Sequence, residues 1–235
     1  MRLVFLDTET TGLSPQSGDR IVEIGCVELV DRRFTGRNLH LYLNPQRSSH
    51  PDALRVHGLT DEFLSDKPLF EAVADQLLEF INGAEVVIHN ASFDAGFLDH
   101  ELRRLNRPNL LQFVEKITDS LSMARELFPG KANSLDALCK RLEVDNSSRA
   151  LHGALLDAGL LAEVYIRMTR GQKSLVVETD DAPVVADLVD TTDLSQFALP
   201  LIPLSEDERS AHGALITELE KASKSGAFWS RSVAH

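Results

Sequence analysis

The first 43 residues show the hydrophobic pattern of three β-strands. Residues 2–6 form an apolar run that ends at Asp7, residues 21–30 are rich in β-branched side chains, and residues 39–43 alternate apolar and other positions. β-Branched residues and a period of two are typical of strands. The pattern therefore predicts three consecutive strands, arranged as an antiparallel meander.

Between residues 68 and 170 the pattern alternates between helices and short strands. In residues 68–82 the apolar positions recur at helical spacing, and Gly83 is a typical helix stop. Short strands are predicted over 86–89 and up to Ile117. Further helices are predicted over 92–106, 120–128, 134–142 and 153–170. Ser92 and Ser134 are the predicted N-caps of the helices that begin there. Strands first and strand–helix alternation afterwards predict an α/β protein, with a mixed five-stranded sheet flanked by helices.

The chain changes character after the last of these helices. Residues 171–205 contain six acidic residues and one basic residue, a net charge of −5, and prolines interrupt them. No helical period is sustained there, so a flexible C-terminal tail is predicted. Ser205 and Glu208 fit a capping box, and Ala211, Leu215 and Leu219 lie on one face of the terminal helix that would follow.

Composition narrows the class of protein. The 235 residues carry a net charge of −12, with 43% hydrophobic and 26% charged residues. No apolar run reaches the length of a membrane span, which predicts a cytoplasmic protein without a membrane partner. Cys26 and Cys139 lie in apolar segments and are expected to be buried, reduced thiols. An acidic protein that handles nucleic acid would bind it weakly by itself, with metal ions supplying the local positive charge and a partner supplying most of the affinity.

Four acidic residues carry the candidate chemistry: Asp7, Glu9, Asp94 and Asp157. Each lies beside or inside an apolar run, and no matching set of lysines or arginines accompanies them. A buried carboxylate costs several kcal/mol unless it is paired. Four of them predict about two divalent cations, and oxygen ligands suit Mg²⁺ or Mn²⁺. Such a cage is typical of enzymes that cut phosphodiesters.

Each of these residues also has a simpler interpretation when taken alone. Asp7 and Glu9 could be surface acids at a strand end, and Asp94 could stabilise a helix dipole. His152 lies five residues before Asp157, on the loop that precedes a helix beginning near Gly153, and could be a capping histidine. From that loop it can also reach a metal site, and an imidazole can accept a proton from water near neutral pH.

Taken together, three motifs resemble the DEDDh exonucleases, and among them the proofreading subunits of bacterial DNA polymerase III. Asp7 and Glu9 match the first motif, Asp94 the second, and His152 with Asp157 the third, over about residues 1–170. The tyrosine-type relatives would have Tyr at position 153, which is Gly153 here. The resemblance implies an RNase H-like fold and 3′→5′ removal of nucleotides from a single-stranded or frayed DNA 3′ end. Two divalent metal ions, Mg²⁺ or Mn²⁺, and His152 as general base would do the chemistry.

The resemblance also implies substrate contacts and a division of the chain. The residues expected to touch the terminal nucleotide are Thr10, Gly12, Leu13, as an apolar wedge against the base, and His57 in a His-Gly segment. The expected domains are an exonuclease domain over 1–171, an acidic tether with a clamp-binding peptide over 172–204, and a polymerase-binding helical segment over 205–235.

The sequence of the tail predicts two protein partners. Gln172, Ser174 and Leu175 resemble the short peptide with which polymerase subunits dock on the sliding clamp (beta); residues 196–201 are a second candidate, and an ordinary linker is the alternative. An amphipathic helix followed by aromatic residues suits docking in a groove, here on the polymerase alpha subunit. The residues concerned are Leu215, Leu219, Phe228 and Trp229. The alternative is a helix that folds back on the exonuclease domain.

Other functions remain open from the sequence. An RNA-trimming enzyme of the RNase T or oligoribonuclease type would use the same site without a tether and partner helix. A stand-alone DNA-repair exonuclease would also fit the motifs. A non-catalytic adaptor between clamp and polymerase is the candidate of a different class, and the complete set of five catalytic-type residues argues against it.

Overall fold

A computed structural model describes residues 1–147, 151–170 and 205–222. The chain divides into two units, Met1–Val177 and Glu178–His235. The tether, the clamp-binding peptide with Gln172, Ser174 and Leu175, and the aromatic pair Phe228 and Trp229 lie outside the described residues.

The described strands form one mixed five-stranded sheet in the order β3-β2-β1-β4-β5. The strands are β1 (Arg2–Thr10), β2 (Ile21–Val30), β3 (Arg33–Tyr42), β4 (Glu85–Ile88) and β5 (Lys116–Asp119). β1, β2 and β3 pair antiparallel, whereas β4 is parallel to β1 and β5 is parallel to β4. The predicted meander and mixed sheet are therefore confirmed.

The third strand is longer than its apolar pattern indicated. It begins at Arg33, not at residue 39, and its first six residues are exposed. An exposed edge strand has no apolar alternation to detect. The tight connection from β2 has left-handed backbone at Asp31 (φ 48°) and Arg32 (φ 64°), as two-residue hairpin turns require. Neither residue is a glycine, so the turn also lacked its usual sequence signal.

The predicted helices are present with shifts of one or two residues at their ends, and two short helices were missed. The described helices are α1 (Pro51–His57), α2 (Asp61–Leu64), α3 (Phe70–Ile81), α4 (Ala91–Arg104), α5 (Ser120–Leu127), α6 (Leu135–Leu142), α7 (Ala154–Met168) and α8 (Glu206–Ala222). α1 and α2 are too short to show a helical period. Their N-caps are His50, which accepts the Asp52 N–H at 3.2 Å, and Thr60, which accepts the Phe63 N–H at 3.2 Å.

The predicted cap of α4 was wrong. Ser92 lies inside the first turn, and the N-cap is Asn90, whose φ is 66°. Asparagine adopts this left-handed conformation more readily than most residues. The Asn90 N–H donates to Asp119 Oδ1 at 3.1 Å, which helps hold the sharp turn from β4 into α4. Ser134 does cap α6, because its hydroxyl accepts the Ala137 N–H at 3.3 Å.

The two faces of the sheet are covered by different helices. Val4 and Leu6 of β1 pack in a cluster with residues of α3 and α4. Leu3 and Phe5 pack instead against α7. Side chains alternate along a strand, so Asp7 and Glu9 belong to the α7 face and Thr8 to the α4 face. Cys26 and Cys139 are buried, as predicted.

One glycine permits α7 to approach the sheet closely. A Cβ at Gly25, the partner of Asp7 on β2, would lie 2.1 Å from Leu155 N and 2.2 Å from the Ala154 carbonyl carbon. These are backbone atoms of the first turn of α7. The absence of a side chain on Gly25 therefore lets the start of α7 lie directly on β2, beside Asp7.

The last described helix carries the predicted capping box. Ser205 Oγ accepts the Glu208 N–H at 3.2 Å, and Glu208 Oε2 accepts the Ser205 N–H at 2.9 Å. Leu215 and Leu219 are 55% and 45% exposed. Within the described ranges, the helices lack the combined length and apolar character that a bilayer-crossing segment requires.

Candidate active site

The four acidic residues come together from three elements and line one cavity. Asp7 and Glu9 end β1, Asp94 lies in the first turn of α4, and Asp157 lies in the first turn of α7. All four, with His152, line a cavity of about 460 Å³, called here the acidic cavity. Glu9, Asp94 and Asp157 are buried. Residues 150 positions apart in the chain thus share one site.

Glu9, His152 and Asp157 form a group with the spacing of metal ligands. One ligand atom from each of the three lies within 4.8 Å of the others. His152 is exposed and lies before α7, as its sequence position indicated, with its Nδ1 3.3 Å from Asp157 Oδ2. The backbone N–H of His152 donates to the Val56 carbonyl at 3.1 Å, which joins this segment to α1. The imidazole is therefore held next to the carboxylates while still reaching solvent.

Asp94 is held by Thr8, whose side chain lies on the opposite face of β1 from Asp7 and Glu9. Thr8 Oγ1 donates to Asp94 Oδ1 at 2.6 Å inside the protein. Burial raises the pKa of the Asp94 carboxyl, and the Thr8 hydrogen bond only partly opposes this. A bound cation would favour the ionised form. Buried carboxylate oxygens from three elements, with an imidazole beside them, fit a hard divalent cation.

A buried ion pair connects the loop after β1 to the helix of Asp94. Arg20 donates from Nε to Glu101 Oε1 at 2.5 Å and from Nη2 to Glu101 Oε2 at 2.9 Å, the two-point geometry that arginine and carboxylate prefer. The Arg20 carbonyl accepts the Thr11 N–H at 2.8 Å. This pair fixes the position of α4 relative to β2 and to the loop that follows Glu9.

Residues 10–14 form a tight loop around Asp19. Thr11 Oγ1 donates to Asp19 Oδ1 at 3.0 Å, and the Ser14 N–H donates to Asp19 Oδ2 at 3.1 Å. A Cβ at Gly12 would lie 2.4 Å from Asp19 Oδ2, so a larger residue there would require the Asp19 carboxylate to shift. Leu13 projects from the loop with 86% of its surface exposed.

Another cavity, of about 630 Å³, adjoins the acidic cavity and is called here the loop cavity. The four predicted substrate contacts, Thr10, Gly12, Leu13 and His57, all line it. Both cavities share Thr8, Glu9, Leu13 and Phe93 as walls. A volume in this range suits a small organic group such as a nucleotide. The arrangement therefore places room for a nucleotide directly beside the carboxylates.

His57 is a buried wall of the loop cavity. Its Nδ1 accepts the Leu59 N–H at 3.0 Å. Burial lowers the pKa of His57, and the Thr10 backbone opposes this shift. A buried imidazole with a lowered pKa is neutral at pH 7, so it is a hydrogen-bonding and packing group here and adds no charge.

Phe93 packs against the hydrophobic core and also forms a wall of the cavities. Its ring packs on Phe97 with centroids 5.0 Å apart, and it also lines both cavities. His89, directly after β4, lines the acidic cavity, with Nδ1 3.0 Å from Ser120 Oγ. The segment 47–50, which lines the loop cavity, was missed altogether. It lies in an irregular stretch before α1, where no apolar period marks it.

Comparison with known proteins identifies the family of this chain. The exonuclease family model, RNase_T, matches residues 4–165, which include all five of the site residues. The chain belongs to the exonuclease family. The predicted RNase H-like fold and the predicted 3′→5′ exonuclease activity are thereby confirmed. Exonucleases of this DEDDh type use divalent metal ions.

Relatives extend the similarity beyond that domain. DNA polymerase III subunit epsilon of Pasteurella multocida is 48% identical over 241 residues, covering 99% of this chain and 95% of the relative. The subunit of the same name from Escherichia coli K12 is 57% identical over 180 residues, or 74% of each chain.

Solved structures agree with the fold. Exonuclease X in complex with 5′ overhanging duplex DNA is 30% identical with a TM-score of 0.56, covering 72% of this chain and 92% of that one. The nuclease domain of 3′hExo, a DEDDh family member bound to rAMP, has a TM-score of 0.62 at 16% identity, covering 73% of this chain and 92% of that one. At that identity the likeness concerns the fold alone.

Proposed function

We propose that this exonuclease proofreads for DNA polymerase III by removing nucleotides from the 3′ end of DNA. The observation that carries the proposal is the similarity to an epsilon subunit over 99% of the chain. The exonuclease family model ends at residue 165, so the match to the Pasteurella multocida subunit includes the tail as well as the nuclease domain. An RNA-trimming enzyme would not need that tail.

In this proposal the acidic cavity holds two divalent ions, Mg²⁺ or Mn²⁺. Asp7, Glu9, Asp94 and Asp157 would bind them, and all four line the same cavity. When bound, such ions lower the pKa of a water molecule and stabilise the leaving 3′ oxygen. His152 would accept the proton of the attacking water, and Asp157, 3.3 Å from His152 Nδ1, would orient the ring. Exposure of His152 lets the proton pass on to solvent.

The loop cavity would hold the unpaired 3′ end of the strand, with the terminal nucleotide nearest the carboxylates. Thr10 and Gly12 shape the loop, Leu13 contacts the base as an apolar wedge, and His57 forms a wall. A base can enter only after it leaves the stack, so unpaired ends are favoured over paired ends. The net charge of −12 supports a division of labour in which the polymerase holds most of the DNA.

The tail would join the nuclease to its partners in the cytoplasm. The proposed domains are 1–171 for the nuclease, 172–204 for the tether, and 205–235 for the segment that binds the polymerase alpha subunit. In α8 the exposed Leu215 and Leu219 lie four residues apart on one face, as groove binding requires. Phe228 and Trp229 would extend that contact, and Gln172, Ser174 and Leu175 would dock on the clamp.

Nuclease assays on matched strands test the activity and its substrate. With Mn²⁺, 5′-labelled single-stranded DNA should shorten stepwise from its 3′ end, and EDTA should stop the reaction because the carboxylates then lack their ions. An Asp7→Ala variant is the inactive control. Faster shortening of an RNA of the same sequence would reject the DNA assignment, and no cleavage of either strand would reject the proposed activity.

Co-purification tests the polymerase partner. A chain ending at residue 200 should lose binding to the polymerase alpha subunit and keep its nuclease activity, because the acidic cavity lies wholly before residue 171. Leu215→Asp with Leu219→Asp in the full chain should give the same loss, and His212→Ala on the same helix is the matched control. Full binding by the shortened chain would contradict the assignment of 205–235.

A further inference from the structure

Arg47 brings a positive charge to the wall of the loop cavity. Among the described residues that line the acidic cavity or the loop cavity, it is the one arginine or lysine. The other charged walls are carboxylates, and the chain as a whole is acidic. A nucleic acid strand brings one negative charge per phosphate, so a cation along its path has a disproportionate effect on binding.

The side chain of Arg47 is fixed in place and still accessible. Its Nη2 lies 3.2 Å from Asp19 Oδ1, and 38% of the side chain is exposed. A Cβ at Gly18, where φ is +90°, would lie 3.3 Å from Arg47 Nη1, so the guanidinium lies close over that glycine. A guanidinium has five N–H donors. One contact with Asp19 leaves donors available for a second anion.

Asp19 connects Arg47 to the loop that follows Glu9. The same carboxylate accepts from the Thr11 hydroxyl and from the Ser14 N–H. Arg47, Asp19 and residues 11–14 are therefore one hydrogen-bonded unit. An arginine that is already held in this way loses little conformational freedom when it binds an anion.

The two cavities distinguish which phosphate Arg47 can reach. Arg47 lines the loop cavity and not the acidic cavity, where the scissile phosphate must lie to meet the carboxylates. The next anion on the strand is the phosphate on the 5′ side of the penultimate nucleotide. We infer that Arg47 binds this phosphate and holds the strand in register, an inference that rests on the proposed function.

Two substrates separate this role from a purely structural one. A single-stranded thymidine oligonucleotide has the second phosphate, whereas the p-nitrophenyl ester of thymidine 5′-monophosphate has only the scissile one. In the full-length protein with Mn²⁺, Arg47→Ala should lose about 3- to 30-fold more kcat/KM on the oligonucleotide than on the ester, mainly through KM. The kcat/KM of Arg47→Lys on the oligonucleotide should lie between those of wild type and Arg47→Ala. Lysine keeps the positive charge but lacks the paired N–H donors of the guanidinium.

Salt dependence supplies an independent readout. The slope of log KM against log salt should fall by about 0.7 in Arg47→Ala, the value for one contact to a single strand. Arg33→Ala is the matched control, because Arg33 is exposed on the hairpin at the opposite end of β1 and β2 from the site. Its kinetics and salt slope should equal those of wild type.

The results of these assays support or overturn the contact between Arg47 and the second phosphate. Equal losses on the two substrates, with an unchanged salt slope and recovery in an Asp19→Asn/Arg47→Ala double variant, would show that Arg47 only balances Asp19. Oligonucleotide kinetics of Arg47→Ala that match Arg33→Ala would also overturn the inference. Failure of the wild-type protein to cleave either substrate would instead remove the proposed function itself.

Discussion

Asp157→Asn is expected to lower kcat on single-stranded DNA by about 10³-fold or more. Asp157 is buried in the acidic cavity, and a ligand atom of it lies within 4.8 Å of those of Glu9 and His152. An amide has the same shape but lacks the charge that a divalent ion needs. Such ions contribute several kcal/mol of transition-state stabilisation, and each 1.36 kcal/mol is a factor of ten in rate. Single-turnover kinetics with Mn²⁺ measure this loss.

The stability of Asp157→Asn shows whether the loss is chemical. Without metal, its Tm should equal or exceed that of wild type, because the substitution removes one of four crowded negative charges. Glu163→Gln on the exposed side of α7 is the matched control and should keep wild-type activity. A rate for Asp157→Asn within tenfold of wild type would contradict its role as a metal ligand.

A comparison of His152→Ala with Asp157→Asn distinguishes a general base from a metal ligand. His152→Ala should lower kcat by about 10²- to 10⁴-fold, the usual size of a general-base effect. Its Mn²⁺ binding, measured by calorimetry, should stay near the wild-type value, whereas Asp157→Asn should bind fewer ions. Parallel loss of binding in both variants would make His152 a metal ligand instead of a base.

Gly25→Ala is expected to disable the site from a position that touches no substrate. The added Cβ would lie within 2.2 Å of backbone atoms of Ala154 and Leu155, so α7 must move away from β2. Overpacking of this kind costs about 1–3 kcal/mol, and each kcal/mol lowers Tm by roughly 2–4 °C in a chain of this length. A shift of about 1 Å in His152 and Asp157 would lower the rate by about 10²-fold.

A second glycine on α7 provides the control. A Cβ at Gly159 meets nothing within 4 Å, so Gly159→Ala should leave the site intact. Its stability should rise by about 0.5–1 kcal/mol, since alanine favours a helix interior over glycine. Thermal unfolding and nuclease assays of both variants measure the difference. Wild-type activity in Gly25→Ala would show that α7 does not need this close approach.

The sheet and its helices could be predicted because each has a local signature. β1 is an apolar run that ends at Asp7, α3 has an apolar stripe, and Ser134 caps α6. The exceptions are segments where the signature is weak. The exposed start of β3 has no alternation, α1 and α2 are shorter than the apolar period needs, and Asn90 replaces Ser92 as a cap through its left-handed backbone.

The candidate site was predictable in its residues but not in its arrangement. The sequence named the four acids, since acids beside apolar runs are costly without cations, and it named His152 by its place before Asp157 and by the family resemblance. It gave no sign that Thr8 holds Asp94 from the opposite face of β1. Such a contact joins positions 86 residues apart, and no local pattern carries information on it.

The sequence by itself determined the elements, the family resemblance and the set of chemical groups in this protein. Periodicity, caps and charge act over a few residues, so they can be read along the chain. The tertiary structure decided which groups meet: α7 on Gly25, Arg20 with Glu101, and Arg47 with Asp19 beside the loop cavity. Those contacts depend on close packing summed over the whole domain, where a single methyl group changes the fit.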